Sequence, residues 1–341
     1  TNRAASQVWG GTFHATANRL LRNYGQAAGL AAGFTVLDQG DSTDLFGMVR
    51  ADEGFGERGK RFPRKETIAN IYSRMVNSQA KLADVLDTDF PWSIDHADEL
   101  KTIFTAYTAR KRRHQVLDYD DMLLFWRGLL ASKIGDTMRD LFDHILIDEY
   151  QDTNPIQADI IRGMCSGRTQ VCAVGDDAQA IYGFRSATVA NMWAFPEHFP
   201  GARVVTLEQN YRSTTPILDL ANAVMTSSDH GGEDGAAQHF DKRLWSTRTG
   251  GIKPKLVTCH DEADQSAYVA EAILDARERG IDLRQQAVLF RAGHHSDHLE
   301  RELTRRDIPY VKYGGLKYLE AAHVKDLLAL LRILDNPADQ L

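Results

Sequence analysis

Short apolar runs that end in polar turns alternate with longer segments of mixed character along most of the chain. The run from Ile145 to Ile147 ends in two acids, Asp148 and Glu149, and a second apolar run begins at Val171. Continuous apolar runs of this length are typical of parallel strands, because helices cover both faces of a parallel sheet. Strand–helix alternation favours right-handed crossovers between parallel neighbours. The pattern therefore predicts an α/β protein built on a parallel sheet.

The same pattern divides the chain into parts. Residues 38–115 are rich in helical pattern and contain no run typical of a buried strand, so we predict a helical insertion there. Residues 227–252 are rich in Gly, Ser, Asp and Thr, which is typical of a linker. We predict a first α/β domain from residues 1–37 and 116–226 and the start of a second one at residues 253–341. Further strands are predicted at residues 203–206, 253–259 and 287–291 and near Val311.

Composition places the chain among ordinary globular proteins. It has 341 residues, of which 43% are hydrophobic and 26% are charged, and this length suggests two or three domains. The longest apolar runs are far too short to span a bilayer, and no secretory signal opens the chain, so no membrane partner is expected. Its three cysteines form no close pair, which favours a reducing, cytoplasmic location. Cys172 lies within an apolar strand pattern and is expected to be buried in the core.

Charge gives two opposing indications about nucleic acid. The net charge of −7 argues weakly against a nucleic-acid partner. Basic residues nevertheless cluster at residues 60–65 and 110–113. These clusters fit either contact with a nucleic-acid strand or ordinary solvated surface, because charge runs alone are weak signals.

The paired acids after the first apolar run suggest the hypothesis of a phosphate-transfer site. In P-loop NTPases an Asp at a strand end helps hold Mg²⁺, and a nearby residue orients or activates the attacking water. For two adjacent acids alone, a solvated strand end is the simpler interpretation. The segments around Asp148 and Glu149 make that interpretation less favourable.

A series of motifs occurs in a recognisable order along the chain. They lie at residues 1–5, 11–14, 117–123, 148–152, 175–185, 209–213, 287–291 and 308–315. Together they resemble the superfamily 1 DNA helicases of the UvrD/Rep/PcrA type. The resemblance implies a RecA-like P-loop NTPase sheet with an inserted helical subdomain and the start of a second RecA-like domain.

The resemblance also implies ATP and Mg²⁺ and assigns residues to them. Asp148 would position Mg²⁺, and Glu149 would be the general base for the water that attacks the γ-phosphate. Gln179 would sense the γ-phosphate, and Arg212 would stabilise its charge. Tyr211 would stack on the adenine. Without the resemblance, Gln179 would be an ordinary turn residue and Tyr211 a half-buried tyrosine.

Contacts with single-stranded DNA are implied for a second set of residues: Thr1, Asn2, Arg3, Thr12, Phe13, His14, Tyr182 and Phe184. Aromatic faces stack on bases without sequence preference, and Phe184 is the preferred candidate for such stacking. Core packing is the alternative for Tyr182 and the preferred interpretation of that ring.

Two departures from the expected pattern affect the site. Residues 54–60 fit G-x-x-x-x-G-K, but Arg61 follows where a phosphate-binding loop needs Ser or Thr, and Pro63 would break the helix that must come next. We therefore do not interpret this segment as a phosphate loop. Ala178 and Ala180 flank Gln179 where the family usually has Asp and Ser, so the turn is expected to lack two polar partners.

The resulting hypothesis is a fragment of an ATP-dependent 3′–5′ DNA helicase or translocase that acts on single-stranded DNA and on ss/ds DNA junctions in repair or recombination. The family's phosphate-binding loop, second helical insertion and late arginine-bearing motif do not occur in the 341 residues. One alternative is a catalytically inactive, single-stranded-DNA-binding subunit of a helicase–nuclease complex. Another is a P-loop ATPase unrelated to nucleic acid.

Overall fold

The computed structural model describes residues 8–31, 33–55, 62–228 and 242–313, together with 327–329, 331 and 334. The described residues form two compact units. The first contains the chain up to Glu208 and the stretch from Val224 to Arg243, and the second contains Gln209–Ala223 and Leu244–Ala329. The predicted domain boundaries stay predictions.

The first unit is mostly helical. Its helices are α1 (Phe13–Tyr24), α2 (Gln39–Asp52), α3 (Lys65–Ser78), α4 (Leu82–Asp89), α5 (Ala97–His114), α6 (Tyr119–Leu130), α7 (Gly135–Arg139), α8 (Pro155–Met164), α9 (Ala190–Trp193) and α10 (Phe195–His198). Helix α11 (Thr215–Ser228) follows, and the second unit adds α12 (Glu262–Glu278) and α13 (Asp297–Arg305). Among the described residues, no helix is both long and apolar enough to cross a bilayer.

Two short parallel sheets organise the first unit. Strand β1 (Thr35–Val36) pairs with β2 (Val116–Leu117), and β3 (His144–Ile147) pairs with β4 (Gln170–Ala173). The described residues between β1 and β2 form helices α2 to α5, so the chain leaves and returns through neighbouring strands. The parallel pairing agrees with the sequence prediction, and the inserted subdomain stays a prediction.

The β3–β4 sheet is buried on one face only. Ile147 is buried, whereas Leu146 is 79% exposed and Cys172, its partner in register, is also exposed. The prediction that Cys172 lies in the core is therefore wrong. Side chains alternate between the faces of a strand, and no described element covers the face that carries Leu146 and Cys172.

Four predicted strands do not form. Residues 203–206, 253–259 and 287–291 and the segment near Val311 have no strand hydrogen bonding in the described structure. Leu256 and Leu289 are among their exposed side chains. A strand is stabilised by a neighbouring strand roughly 4.8 Å away, and no described segment supplies one here. The larger RecA-like sheet stays a prediction.

The helical insertion and the first α/β part are joined by a buried ion cluster. Lys111 of α5 lies 2.5 Å from Oδ2 of Asp118 and 2.6 Å from Oδ2 of Asp121. Asp118 caps α6 and forms a capping box with Asp121, and Tyr107 donates to Asp118 at 2.7 Å. The two carboxylates thus start α6 and bind α5 at the same time.

Candidate functional site

The predicted acids lie at the carboxyl end of β3. The ladder continues past the strands, because the backbone N–H of Val174 donates to Ile147 and that of Tyr150 donates to Val174, both at 2.8 Å. Glu149, between these contacts, adopts a left-handed conformation with φ of 50°. This turn exposes the side chains of Asp148 and Glu149 in succession. The edge therefore presents two adjacent carboxylates, and their roles as a metal-binding acid and a general base stay predictions.

Gln151 connects this edge to the next loop. Its Nε2 donates to Oε2 of Glu149 at 2.7 Å, and its Oε1 accepts from the backbone N–H of Asp176 at 3.0 Å. The side chain is buried, with 2% of the residue exposed. One amide thus contacts both the candidate base and the loop after β4.

That loop, residues 175–180, holds Gln179 through its own acid. Nε2 of Gln179 donates to Oδ2 of Asp176 at 2.7 Å. Gln179 itself is exposed at the end of a single helical turn, Asp177–Gln179. Asp176 therefore supplies a polar partner for Gln179 within this loop.

Lys242 holds the same loop from another direction. Its ammonium forms ion pairs with the carboxylates of Asp176 and Asp177. Burial raises the pKa of Asp176, but hydrogen bonds from Lys242 and Gln179 outweigh burial, and the pKa lies below its usual value. Burial lowers the pKa of Lys242, and the two carboxylates more than reverse this. The loop is therefore charged and fixed by ion pairs. Lys242 falls within the stretch that the sequence predicted as a linker.

The aromatic turn, Tyr182 to Arg185, follows this loop directly. Phe184 is 75% exposed and Tyr182 is 38% exposed, so the core-packing alternative for Tyr182 is wrong. The two ring centroids lie 5.9 Å apart, and the guanidinium of Arg185 lies 5.5 Å from each. Arg74 of α3 donates to the carbonyl of Gly183 at 2.9 Å. The turn presents two aromatic faces and a cation to solvent.

The start of α1 holds three further predicted DNA contacts. The hydroxyl of Thr12 caps α1 by accepting from the backbone N–H of Ala15 at 3.2 Å. Phe13 is half-buried, with its ring 6.3 Å from that of Trp126. Burial lowers the pKa of His14, whose ring lies 5.3 Å from that of Tyr119. These side chains serve the packing of α1, and their contact with DNA stays a prediction. Thr1, Asn2 and Arg3 lie outside the described residues.

The predicted nucleotide contacts Tyr211 and Arg212 belong to the second unit, and both are exposed. The hydroxyl of Tyr211 donates to Oε1 of Gln209 at 2.9 Å, and the backbone N–H of Arg212 donates to Asn210 at 2.9 Å. Arg248 donates to the carbonyl of Arg212 at 2.8 Å. The segment 209–213 is thus held by its own side chains and by Arg248, which leaves both predicted contacts facing solvent.

Comparison with known proteins decides the family. The model of the UvrD/REP helicase N-terminal domain matches residues 1–200, and that of the UvrD-like helicase C-terminal domain matches residues 205–341. The chain belongs to the UvrD/REP helicase family. This confirms the resemblance to the UvrD/Rep/PcrA helicases that the sequence indicated.

Similar proteins in this family carry helicase names. ATP-dependent DNA helicase UvrD1 of Mycobacterium tuberculosis is 35% identical over 352 residues, which cover 98% of this chain and 44% of the relative. ATP-dependent DNA helicase PcrA of Staphylococcus epidermidis is 30% identical over 340 residues, covering 99% of this chain and 45% of the relative. The chain spans less than half the length of these relatives.

The acids of this UvrD/REP chain fit Mg²⁺ by their chemistry. Oδ1 of Asp152 is buried and has no hydrogen-bond partner among the described residues. Burial, and to a smaller extent the charge of Glu149, raises the pKa of Asp152 above its usual value. The described residues contain no cluster of three metal-binding side chains. Mg²⁺ commonly takes only one or two carboxylates and completes its shell with phosphates and water.

Two residues of this candidate site were missed by the sequence analysis. Gln151 lies inside the motif at 148–152, but its contact with Asp176 joins positions 25 residues apart. Lys242 is 66 residues from Asp176. The apolar pattern gives no signal for either contact. A polar residue two positions after Glu149 is a local hint for Gln151, and Lys242 has no comparable hint.

Proposed function

We propose that the chain is part of an ATP-dependent DNA helicase or translocase that moves 3′ to 5′ on single-stranded DNA and unwinds duplex in repair or recombination. This proposal rests on one short segment that connects the edge carrying the acids with the exposed aromatic side chains. Residues 175–185 run from the edge that holds Glu149 to the exposed aromatic pair Tyr182 and Phe184. A change at the phosphates would thus reach a base-stacking surface within about ten residues.

Each polar group has a role in this proposal. Asp148 holds Mg²⁺, which neutralises charge on the transferred phosphoryl group when it is bound. Glu149 accepts a proton from the attacking water. Gln179 detects the γ-phosphate, Arg212 stabilises its charge and Tyr211 stacks on the adenine. Preformed hydrogen bonds around Glu149 support this, since phosphoryl transfer depends on positioning and electrostatics.

The test is Glu149→Gln in the full-length protein that carries this sequence. The amide keeps the shape of the side chain but cannot accept the proton, so kcat for DNA-stimulated ATP hydrolysis should fall by about 10²–10⁴. ATP binding should stay close to that of the unaltered protein. Glu197→Gln changes an exposed acid of α10 and serves as the control.

The same measurement distinguishes the proposed function from the alternative, an inactive DNA-binding subunit. That alternative predicts single-stranded DNA binding without ATP turnover in the unaltered protein. Turnover that survives Glu149→Gln at full rate would instead show that Glu149 is not the base.

A further inference from the structure

The side chain of Gln151 makes two hydrogen bonds whose directions are fixed by chemistry. The backbone N–H of Asp176 is a donor, so the amide atom that faces it at 3.0 Å must be the oxygen. The NH₂ group then faces Glu149, 2.7 Å from Oε2. Gln151 therefore fixes the position of the Glu149 carboxylate relative to the backbone of Asp176.

The space around Gln151 shows that this contact is close-packed. A Cβ added to Gly175 would lie 2.8 Å from Oε1 of Gln151 and 3.3 Å from its backbone nitrogen. It would also lie 3.1 Å from Sδ of Met192. Gly175 has no positive φ that would itself require glycine. The absence of a side chain at position 175 is what lets the loop approach the amide.

The contacts continue beyond Asp176. The carboxylate of Asp176 accepts from Gln179 at 2.7 Å and is paired with Lys242. A chain of polar contacts thus runs from Glu149 through Gln151 and Asp176 to Gln179. A movement of Gln179 that displaces Asp176 would also displace the amide that holds Glu149.

We infer that Gln151 is a positioning residue that couples the proposed base, Glu149, to the nucleotide-sensing loop. This inference rests on the proposed function. Gln151 does not touch the reacting atoms; it holds the carboxylate of Glu149 and transmits the position of Asp176 to it.

The test compares Gln151→Met and Gln151→Glu with the unaltered full-length protein. Methionine keeps the length and packing of the side chain and loses both hydrogen bonds, so kcat for ATP hydrolysis should fall roughly 10- to 100-fold. KM for ATP should change less than about threefold, because the phosphate contacts are intact. Gln170→Met, at an exposed position of β4, is the control and should leave kcat unchanged.

The split between kcat and KM separates positioning from mere structural support. Gln151→Glu keeps an oxygen that can accept from the backbone N–H of Asp176 but loses the NH₂ donor that faces Glu149. If the bond to Glu149 positions the base, kcat should fall in both variants while KM for ATP stays within about threefold. Unchanged kcat in Gln151→Glu, or a KM for ATP that rises as much as kcat falls, would overturn the inference.

Gly175→Ala keeps the amide but displaces it, and it covers the case in which the position-151 variants fail to fold. It should lower kcat and leave KM for ATP within about threefold of that of the unaltered protein. Gly167→Ala is its control, since a Cβ there would meet nothing within 4 Å. Unchanged kcat in Gly175→Ala would overturn the inference.

A double variant distinguishes failure of this inference from failure of the proposed function. If Gln151 acts through Glu149, adding Gln151→Met to Glu149→Gln should lower turnover by less than about twofold. Full turnover in Glu149→Gln alone would overturn the proposed function and this inference with it. Loss of turnover in Glu149→Gln together with full turnover in Gln151→Met would overturn this inference only.

Discussion

At the scale of single residues, Glu149 combines two roles that favour different amino acids. Its φ of 50° lies in the left-handed region, where residues other than glycine lose roughly 1–2 kcal/mol. Glycine would fit the backbone but would carry no carboxylate. A strained residue kept at a site is typical of positions where function requires the side chain.

Because of this strain, we predict that glycine is more stable than alanine at position 149, which is the reverse of the usual order. Glu149→Ala and Glu149→Gly both lose the bond to Gln151, so their difference isolates the backbone. Glu149→Gly should be more stable than Glu149→Ala by about 1 kcal/mol in the free energy of unfolding, measured by urea denaturation. Position 148, which has no positive φ, is the control: there Asp148→Ala should be the more stable variant. The same order at both positions would contradict the left-handed assignment.

The residues that the sequence identified are those with local signals. Asp148 and Glu149 follow an apolar run, so their place at the end of a strand could be predicted. The roles of Gln151 and Lys242 could not, because their partners lie 25 and 66 residues away along the chain. Such contacts exist only once β3 and β4 are aligned.

At the scale of elements, the contact between α5 and α6 depends on buried charge. Burial and the charge of Asp118 raise the pKa of Asp121 to about 6. Burial lowers the pKa of Lys111, but its paired carboxylates reverse this and raise it above its usual value. Because the pKa of Asp121 is higher in the folded state than in the unfolded state, protonated Asp121 stabilises the fold at low pH. This contribution to the free energy of unfolding is lost as pH rises through about 6.

Lys111→Met should therefore destabilise the protein in a pH-dependent way. Removing the cation leaves two buried carboxylates unpaired, which costs roughly 3–5 kcal/mol of folding free energy near pH 8. At pH 5 the loss should be smaller, because Asp121 can take up a proton. Urea denaturation at the two pH values measures this. Lys101→Met, which removes an exposed pair with Asp98, should change stability little at either pH. An equal loss for Lys111→Met at both pH values would contradict this account.

Helices and strands differed in how well the sequence predicted them. Helix starts carry local signals, such as the capping boxes at Asp118 and Asn154. An extended segment such as residues 287–291 has a suitable apolar pattern, yet its hydrogen bonds depend on a neighbour elsewhere. The pattern predicts that such a segment favours a strand but does not provide its partner.

At the scale of the whole molecule, the proposed helicase activity requires that ATP turnover and DNA contact be linked. Phe184→Ala in the full-length protein should weaken binding of a fluorescent oligo-dT roughly 5- to 150-fold, which corresponds to about 1–3 kcal/mol per stacked base. ATP hydrolysis should continue, because every group proposed to contact the phosphates is retained. The length of duplex unwound per ATP hydrolysed should therefore fall. The salt dependence of binding should barely change, since it counts neutralised phosphates.

Two comparisons make this result specific. Trp92→Ala removes an aromatic side chain that is 71% exposed, close to the 75% of Phe184, and should leave DNA affinity unchanged. Thermal melting of Phe184→Ala should match that of the unaltered protein, because the ring is exposed. A large drop in melting temperature with intact DNA affinity would contradict the assignment of Phe184 to base stacking.

The exposed face of the β3–β4 sheet has a consequence for chemical labelling. The side chain of Cys172 is exposed on that face, whereas Cys165 is half-buried. Burial raises the pKa of the Cys165 thiol. Because the thiolate is the reactive form, a maleimide dye should attach to Cys172 faster than to Cys165, and peptide mass mapping would show the order. A dye at Cys172 would sit beside Leu146, so its emission would report whether that face becomes covered when other chains or ligands are added.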